Sequence, residues 1–143
     1  MTTFKTSRTF DATPGELFAA IRDPLRLARW WGPAGFSNRF ETFEFKPGGQ
    51  WRFSMVGPDG TIYPNESTFA AIEADRRLVV RHLNQPHFQL TITLAPLASG
   101  TLLSWEQAFD DPAVAAALRH IVEPANEQNL DRLGAEIARG PAT

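Results

Sequence analysis

Turn-forming residues divide this chain of 143 residues into a fixed order of segments, and that order limits the folds open to it. Thr13-Pro14, Asp23-Pro24 and Asp111-Pro112 each set a capping side chain before a proline, which is how a helix starts. Glu16, three residues after Thr13, completes a capping box. Gly32-Pro33 and Gly35 stop the second of these helices near Trp31, and Gly140-Pro141 stops the third. Between Phe36 and Asp111 the punctuation is of the hairpin kind: Lys46-Pro47-Gly48-Gly49, Gly57-Pro58-Asp59-Gly60, Glu73–Arg76, Asn84-Gln85-Pro86 and Ser99-Gly100.

The segments between those turns have the period of strands. Phe4–Phe10 reads as a first strand, followed after the two short helices by Arg39–Phe45, Gln50–Val56, Thr61–Ile72, Arg77–Leu83, His87–Leu94 and Thr101–Phe109. Trp51, Phe53 and Met55 alternate with Arg52, Ser54 and Val56, and Phe88, Leu90, Ile92 and Leu94 alternate with Gln89, Thr91 and Thr93. Residues 113–139 instead carry a helical stripe of Val114, Leu118, Ile121, Val122, Ala125, Leu133 and Ile137, interrupted by Pro124. A half-buried antiparallel sheet and a long amphipathic helix each expose one apolar surface, and the sheet buries both by curling around the helix. The expectation is an α+β fold of order β-α-α-β6-α in a single domain spanning 1–143.

Several of the motifs above, in this order, resemble one known family. They are Phe10-Asp11-Ala12-Thr13-Pro14, Asp23-Pro24, Arg29-Trp30-Trp31-Gly32-Pro33-Ala34-Gly35-Phe36, Phe45-Lys46-Pro47-Gly48-Gly49-Gln50-Trp51-Arg52-Phe53 and Pro58-Asp59-Gly60. Arg77-Leu78-Val79, Gly100-Thr101 and Asn129-Leu130-Asp131-Arg132-Leu133 extend the match across nearly the whole chain. The pattern is similar to the Hsp90-ATPase-activator-homologue branch of the START-like, or SRPBCC, superfamily. The resemblance implies a helix-grip fold, with a ligand cavity between the curved sheet and the last helix. It also implies three possible occupations: binding of a small apolar ligand, cyclase, aromatase or hydrolase chemistry in the same cavity, or stimulation of the Hsp90 ATPase. The last belongs to larger, multidomain homologues, so binding without chemistry is the leading expectation.

Composition bounds the alternatives. Net charge is −2 and no basic stripe is visible, which argues against nucleic acid as the partner. There is no cysteine, so disulfides, thiolate catalysis and cysteine-based metal sites are excluded. No apolar run resembles a signal peptide or a membrane span, so a cytoplasmic protein is expected. No nucleophile elbow, phosphate loop or HExxH motif occurs, and neither metal nor cofactor is expected. Eleven Phe, four Trp and one Tyr are many for this length, and they either fill a core or line an apolar pocket.

The candidate ligand-binding residues follow from parity and from the family pattern. Trp51, Phe53, Met55, Phe69, Phe88, Leu90, Ile92, Leu103 and Trp105 share the concave face, as pocket wall or as solid core. Trp30 and Trp31 sit at the cavity mouth in the family reading, although neighbours on a helix point apart and one of them belongs to the core. Asn126 and Asn129 interrupt the helical stripe after Pro124, either lining a hydrated pocket or facing solvent. Many relatives have a Gly-Trp pair near this point, where this chain has Ala125-Asn126. Tyr63 offers a hydroxyl to a ligand.

The three histidines are unclustered. His82, in line with Leu78 and Val80, is the one weak catalytic candidate, against the plainer reading of a hydrogen-bonded histidine at the core edge. His87 and His120 read as surface residues. Glu44, Glu66 and Glu106 either face outward, where Arg52 and Arg81 could pair with them, or supply an inward acid. Phe40, Val79 and Leu83 are assigned to the convex face, where they suggest a homodimer.

Overall fold

The computed structural model describes residues 2–141. Its elements are β1 (Thr2–Phe10), α1 (Pro14–Arg22), α2 (Pro24–Trp30), β2 (Ser37–Phe43), β3 (Gln50–Val56), β4 (Ile62–Glu73), β5 (Arg77–His82), β6 (Phe88–Leu97), β7 (Gly100–Phe109) and α3 (Pro112–Arg139). This is the order expected from the turn signals. The seven strands form one antiparallel sheet in the order β1-β7-β6-β5-β4-β3-β2. β2 to β7 are a meander, and β1 pairs with β7 along its whole length, from Thr2 opposite Phe109 to Phe10 opposite Thr101. β1 and β2 are therefore opposite edges of the sheet, and α1 and α2 carry the chain between them.

The caps act as their sequences require. Thr13 Oγ1 accepts from the Glu16 amide at 3.1 Å, while Glu16 Oε1 accepts from the Thr13 amide at 2.9 Å. Asp23 accepts from the Leu25 amide and Asp111 from the Ala113 amide, so each proline-led helix begins with a satisfied donor. α3 runs through Pro124 as one helix. Pro124 has no N–H for the His120 carbonyl, but both residues are exposed and water can take that place.

Two bulges bend the sheet and change which side chains face inward. The register shifts between Phe40 and Thr42 on β2, and between Phe69 and Ala71 on β4. An extra residue bends its strand and sharpens the local twist. Phe40 lies opposite Phe53 and Phe43 opposite Trp51, so both rings pack on the concave face although they are three residues apart. Phe40 thus belongs to the core and not to the convex face. Val79 does point away from Leu78 and Val80, but it is buried between Ala71 and Thr91. Leu83, just past β5, is exposed.

α3 meets the sheet in two regions. Val114, Ala115, Leu118 and Val122 pack with Phe4, Phe88 and Phe109. Leu130, Leu133 and Ile137 join the main core with Leu17, Phe18, Leu27 and Trp30. Ile121, assigned to the stripe from sequence, is exposed, because the contact face turns from Val122 to Ala125 and Asn129. In the last turns the stripe includes Glu136, which is 4% exposed. Its carboxylate accepts from Arg26 Nε at 3.0 Å and from Arg29 Nε and Nη2 at 2.9 and 2.7 Å. Hydrogen bonds from Arg29 first, and from Arg26 after them, hold the Glu136 carboxyl below its usual range despite burial.

A buried carboxylate stripped of its partners, or buried cations left without it, cost far more than an exposed pair. Glu136→Ala is expected to lower the unfolding free energy by about 3–5 kcal/mol, read by urea denaturation. Because the folded-state pKa is depressed, this contribution is complete above the ordinary glutamate value of about 4.3 and disappears as pH falls through the lower folded value. Wild-type stability should drop in that acidic window, and Glu136→Gln should flatten the drop. An equally steep acid limb in the variant would show that other carboxylates govern it.

Candidate functional site

A cavity of about 140 Å³ lies between the concave face of the sheet, α3 and the turn after α2. Its apolar wall is Trp31, Trp51, Phe53, Met55, Phe88, Leu90 and Trp105. Asn65, Ser67, His82, Gln107, Asn126 and Asn129 add polar groups, and Gly32, Pro33, Val80 and Ala125 complete the lining. The volume is close to the roughly 150 Å³ of an apolar cavity that holds one benzene ring.

The structure thus gathers Trp31, Trp51, Phe53, Met55, Phe88, Leu90, Trp105, Asn126 and Asn129, with His82, around one space. Phe69, Ile92 and Leu103 have the expected inward parity but lie deeper, fully enclosed in the solid core. The two adjacent tryptophans separate as helix geometry requires. Trp30 is 1% exposed and donates its indole N–H to the Ala20 carbonyl at 3.0 Å, away from the cavity. Trp31, at the end of α2, turns to the cavity and meets Trp51 at 5.0 Å and Trp105 at 5.7 Å between ring centroids. Tyr63 shares the parity of Asn65 and Ser67 but stands beyond the cavity, packed on Phe36 and 47% exposed.

The wall formed by Trp31, Gly32 and Pro33 is fastened to α3 through polar groups. Asn129 Oδ1 accepts from the Gly32 amide at 3.2 Å, and Asn129 Nδ2 donates to the Trp30 carbonyl at 2.9 Å. Arg132 Nη1 donates to the carbonyls of Trp31, Gly32 and Pro33, and Nη2 to those of Arg29 and Phe36. Gln128 accepts from the Ala34 amide. Gly32 has φ of +94°, a conformation that favours glycine. Asn126 donates to Gln107 Oε1 at 3.1 Å across the cavity's edge. Both asparagines therefore turn inward and find partners, rather than facing solvent.

Two donors in the wall have none. The indole N–H groups of Trp51 and Trp105 are buried without an acceptor. Each such group costs about 1–3 kcal/mol in lost solvation. Neither Glu44, Glu66 nor Glu106 supplies an inward carboxylate. Glu44 accepts from the Gln50 amide, Glu66 is exposed, and Glu106 pairs with Lys5 at 3.7 Å. Arg81 pairs with Asp110 instead of a strand glutamate. His82 is thus the sole ionisable residue of the lining. Among the described residues no group of His, Asp or Glu is arranged to hold a metal ion.

His82 is stacked on Phe88 at 4.5 Å and is 5% exposed. Its Nδ1 lies 2.7 Å from the Pro86 carbonyl and its Nε2 lies 2.8 Å from Asn65 Oδ1, while Asn65 Nδ2 donates to the Tyr63 carbonyl. A carbonyl cannot donate, so Nδ1 carries a proton in either charge state. The charged ring satisfies both acceptors; for the neutral ring the Asn65 amide must reverse, which exchanges its bond to the Tyr63 carbonyl for one to His82 Nε2. Burial lowers the His82 pKa and outweighs the carbonyl contacts, which raise it.

An imidazole with a lowered folded-state pKa stays neutral while the unfolded chain takes up a proton. Stability should therefore fall as pH drops from about 6.5 towards the folded value. Nitrogen-15 NMR of the imidazole is expected to show the neutral Nδ1–H tautomer at pH 7 and a midpoint below 6.5. A midpoint above it would mean that the two acceptors dominate over burial.

The family model described as "Activator of Hsp90 ATPase homolog 1-like protein" matches residues 11–138. Among solved structures, an Arthrobacter aurescens protein is 27% identical with a TM-score of 0.87, covering 99% of this chain and 88% of that one. A Rhodobacter sphaeroides protein is 26% identical with a TM-score of 0.85, over 96% and 93% of the two chains. A Chromobacterium violaceum protein is 25% identical with a TM-score of 0.83, over 94% and 96%. Among curated proteins none matches significantly. With its helix-grip architecture and a family match over most of its length, the chain belongs to the Hsp90-ATPase-activator-homologue family of the START-like superfamily.

Proposed function

We propose that this protein binds a small, mainly apolar ligand in the cavity beneath α3, without chemistry of its own. The observation that carries this reading is the lining: three tryptophans and two phenylalanines around about 140 Å³, with amide and imidazole groups from both the sheet and α3. An apolar wall with a few placed polar groups is the usual composition of a small-molecule site. The volume favours a single ring over a long acyl chain, which would need several times the space. The absence of an inward carboxylate beside His82 leaves no acid–base pair within reach of a substrate, so binding is favoured over hydrolysis or cyclisation.

Thermal unfolding tests this directly. A ligand that binds only the native state stabilises it by about 2.7 kcal/mol at one hundred times its dissociation constant. One-ring aromatics are expected to raise the Tm in this way, and long-chain fatty acids to leave it unchanged. Ala125→Leu, which fills the cavity from α3, should abolish the rise while keeping the fold. His82→Ala should keep the rise within a few-fold in affinity. If a broad set of one-ring compounds moves no Tm, or the rise survives Ala125→Leu, the ligand does not occupy this cavity.

A further inference from the structure

The amides of Gln107 and Asn126 narrow the ligand's chemistry beyond "apolar". Resting on the cavity reading above, we infer that the cognate ligand is an uncharged one-ring aromatic whose polar group both donates and accepts hydrogen bonds, of the carboxamide kind, and that this group is held by the Gln107–Asn126 pair at the cavity's edge.

The polar lining divides into spent and free groups. The amides of Asn65 and Asn129 and both ring nitrogens of His82 already have protein partners. The indole N–H groups of Trp51 and Trp105 are enclosed, out of a ligand's reach. Ser67, Gln107, Asn126 and the Trp31 indole keep free polar atoms, and none of these is enclosed. The Ser67 hydroxyl rotates to give or take, and the Trp31 N–H asks only for an acceptor. Neither therefore separates a carboxamide from a ketone.

The pair of amides does. Gln107 lies opposite Leu90, with the inward parity of Trp105, and Asn126 meets it from α3. Their one hydrogen bond, from Asn126 Nδ2 to Gln107 Oε1 at 3.1 Å, uses half of each amide. An NH₂ group on Gln107 and a carbonyl on Asn126 are left. Reversing both amides exchanges the two roles but again leaves one donor and one acceptor. Asn126 also borders a small groove beside β1, which Gln107 does not line, so the free group of Gln107 opens on the cavity.

A carboxamide answers both free groups at once. A ketone that displaces water from the edge leaves the protein's amide carbonyl without a donor, and a hydrocarbon leaves both groups unmet. A carboxylate sets a negative charge against that carbonyl, and neither Lys nor Arg lines the cavity to balance it.

Four compounds of one shape test the assignment on the wild-type protein: benzamide, acetophenone, benzoate and α-methylstyrene. Benzamide is expected to bind about fivefold more tightly than acetophenone, the ratio that one net hydrogen bond provides, and benzoate most weakly of the four. Bound benzamide should show nuclear Overhauser contacts from its amide protons to the side chains of Gln107 and Asn126. The double variant Gln107→Met, Asn126→Leu removes both amides at similar volume; it should erase the advantage of benzamide while α-methylstyrene binds as before. Acetophenone or benzoate binding as tightly as benzamide, an advantage that survives the double variant, or bound benzamide without those contacts would overturn the assignment and leave the cavity reading intact. So would binding of α-methylstyrene without binding of benzamide. If none of the four binds, the cavity reading fails and this inference falls with it. Should the double variant fail to fold, the wild-type ranking and the Overhauser contacts still decide.

Discussion

The guanidinium of Arg132 joins parts of the fold that the sheet alone leaves apart. α2 ends at Trp30 with carbonyls that the helix cannot satisfy, and the turn to β2 adds more. Arg132 reaches from the C-terminal part of α3 and takes five of these carbonyls, spanning residues 29 to 36. Burial lowers its pKa, yet a guanidinium keeps its charge and its planar set of donors. No lysine could divide itself among so many acceptors. With Asn129 one turn earlier, Arg132 sets the height of Trp31, Gly32 and Pro33 above the sheet. The cavity is the space that this height leaves.

A void of that size invites collapse, since protein interiors pack to near crystalline density. What resists it is a second row of rings behind the first. Trp51 is stacked on Phe53 at 4.4 Å and on Phe69 at 5.7 Å, and Phe43 and Phe45 pack edge-on against Phe69. Each contact of this type contributes about 0.5–1.5 kcal/mol beyond simple burial. On the opposite side, the Arg26–Glu136–Arg29 cluster anchors α2 to the end of α3. The cavity walls are thus held by neighbours that gain nothing from moving inward.

Much of this was legible in the sequence, because turns and periodicity are local. The caps at Thr13, Asp23 and Asp111 and the glycine–proline turns give every element and their order. Parity alone places Trp51, Phe53 and Trp105 on the concave face. The same parity also brings in Asn65, Ser67 and Gln107, which a search for apolar residues passes over. A bulge defeats the method at Phe40, since no residue type at Glu41 announces the extra position. How deep a residue lies is equally hidden: Phe69, Ile92 and Leu103 share parity with cavity residues yet sit in solid core. The ties from Arg132 and Glu136 could not be read at all, because their partners are about a hundred residues away in the chain.

The placement of β1 has a consequence in time. Its partner strand, β7, begins at Gly100, so the first strand of the chain, nine residues long, waits for the last. Contacts at such separation form slowly, because a long loop must be closed before anything is gained. The meander from β2 to β7, in contrast, is built from neighbouring hairpins and can assemble early. α3 follows β7, and with it come the residues that fix the turn after α2. During synthesis the chain therefore holds a sheet before it holds the cavity beneath α3. Pulse-labelling hydrogen exchange would register that order as early protection of β3 to β6 amides and late protection of the Gly32 amide.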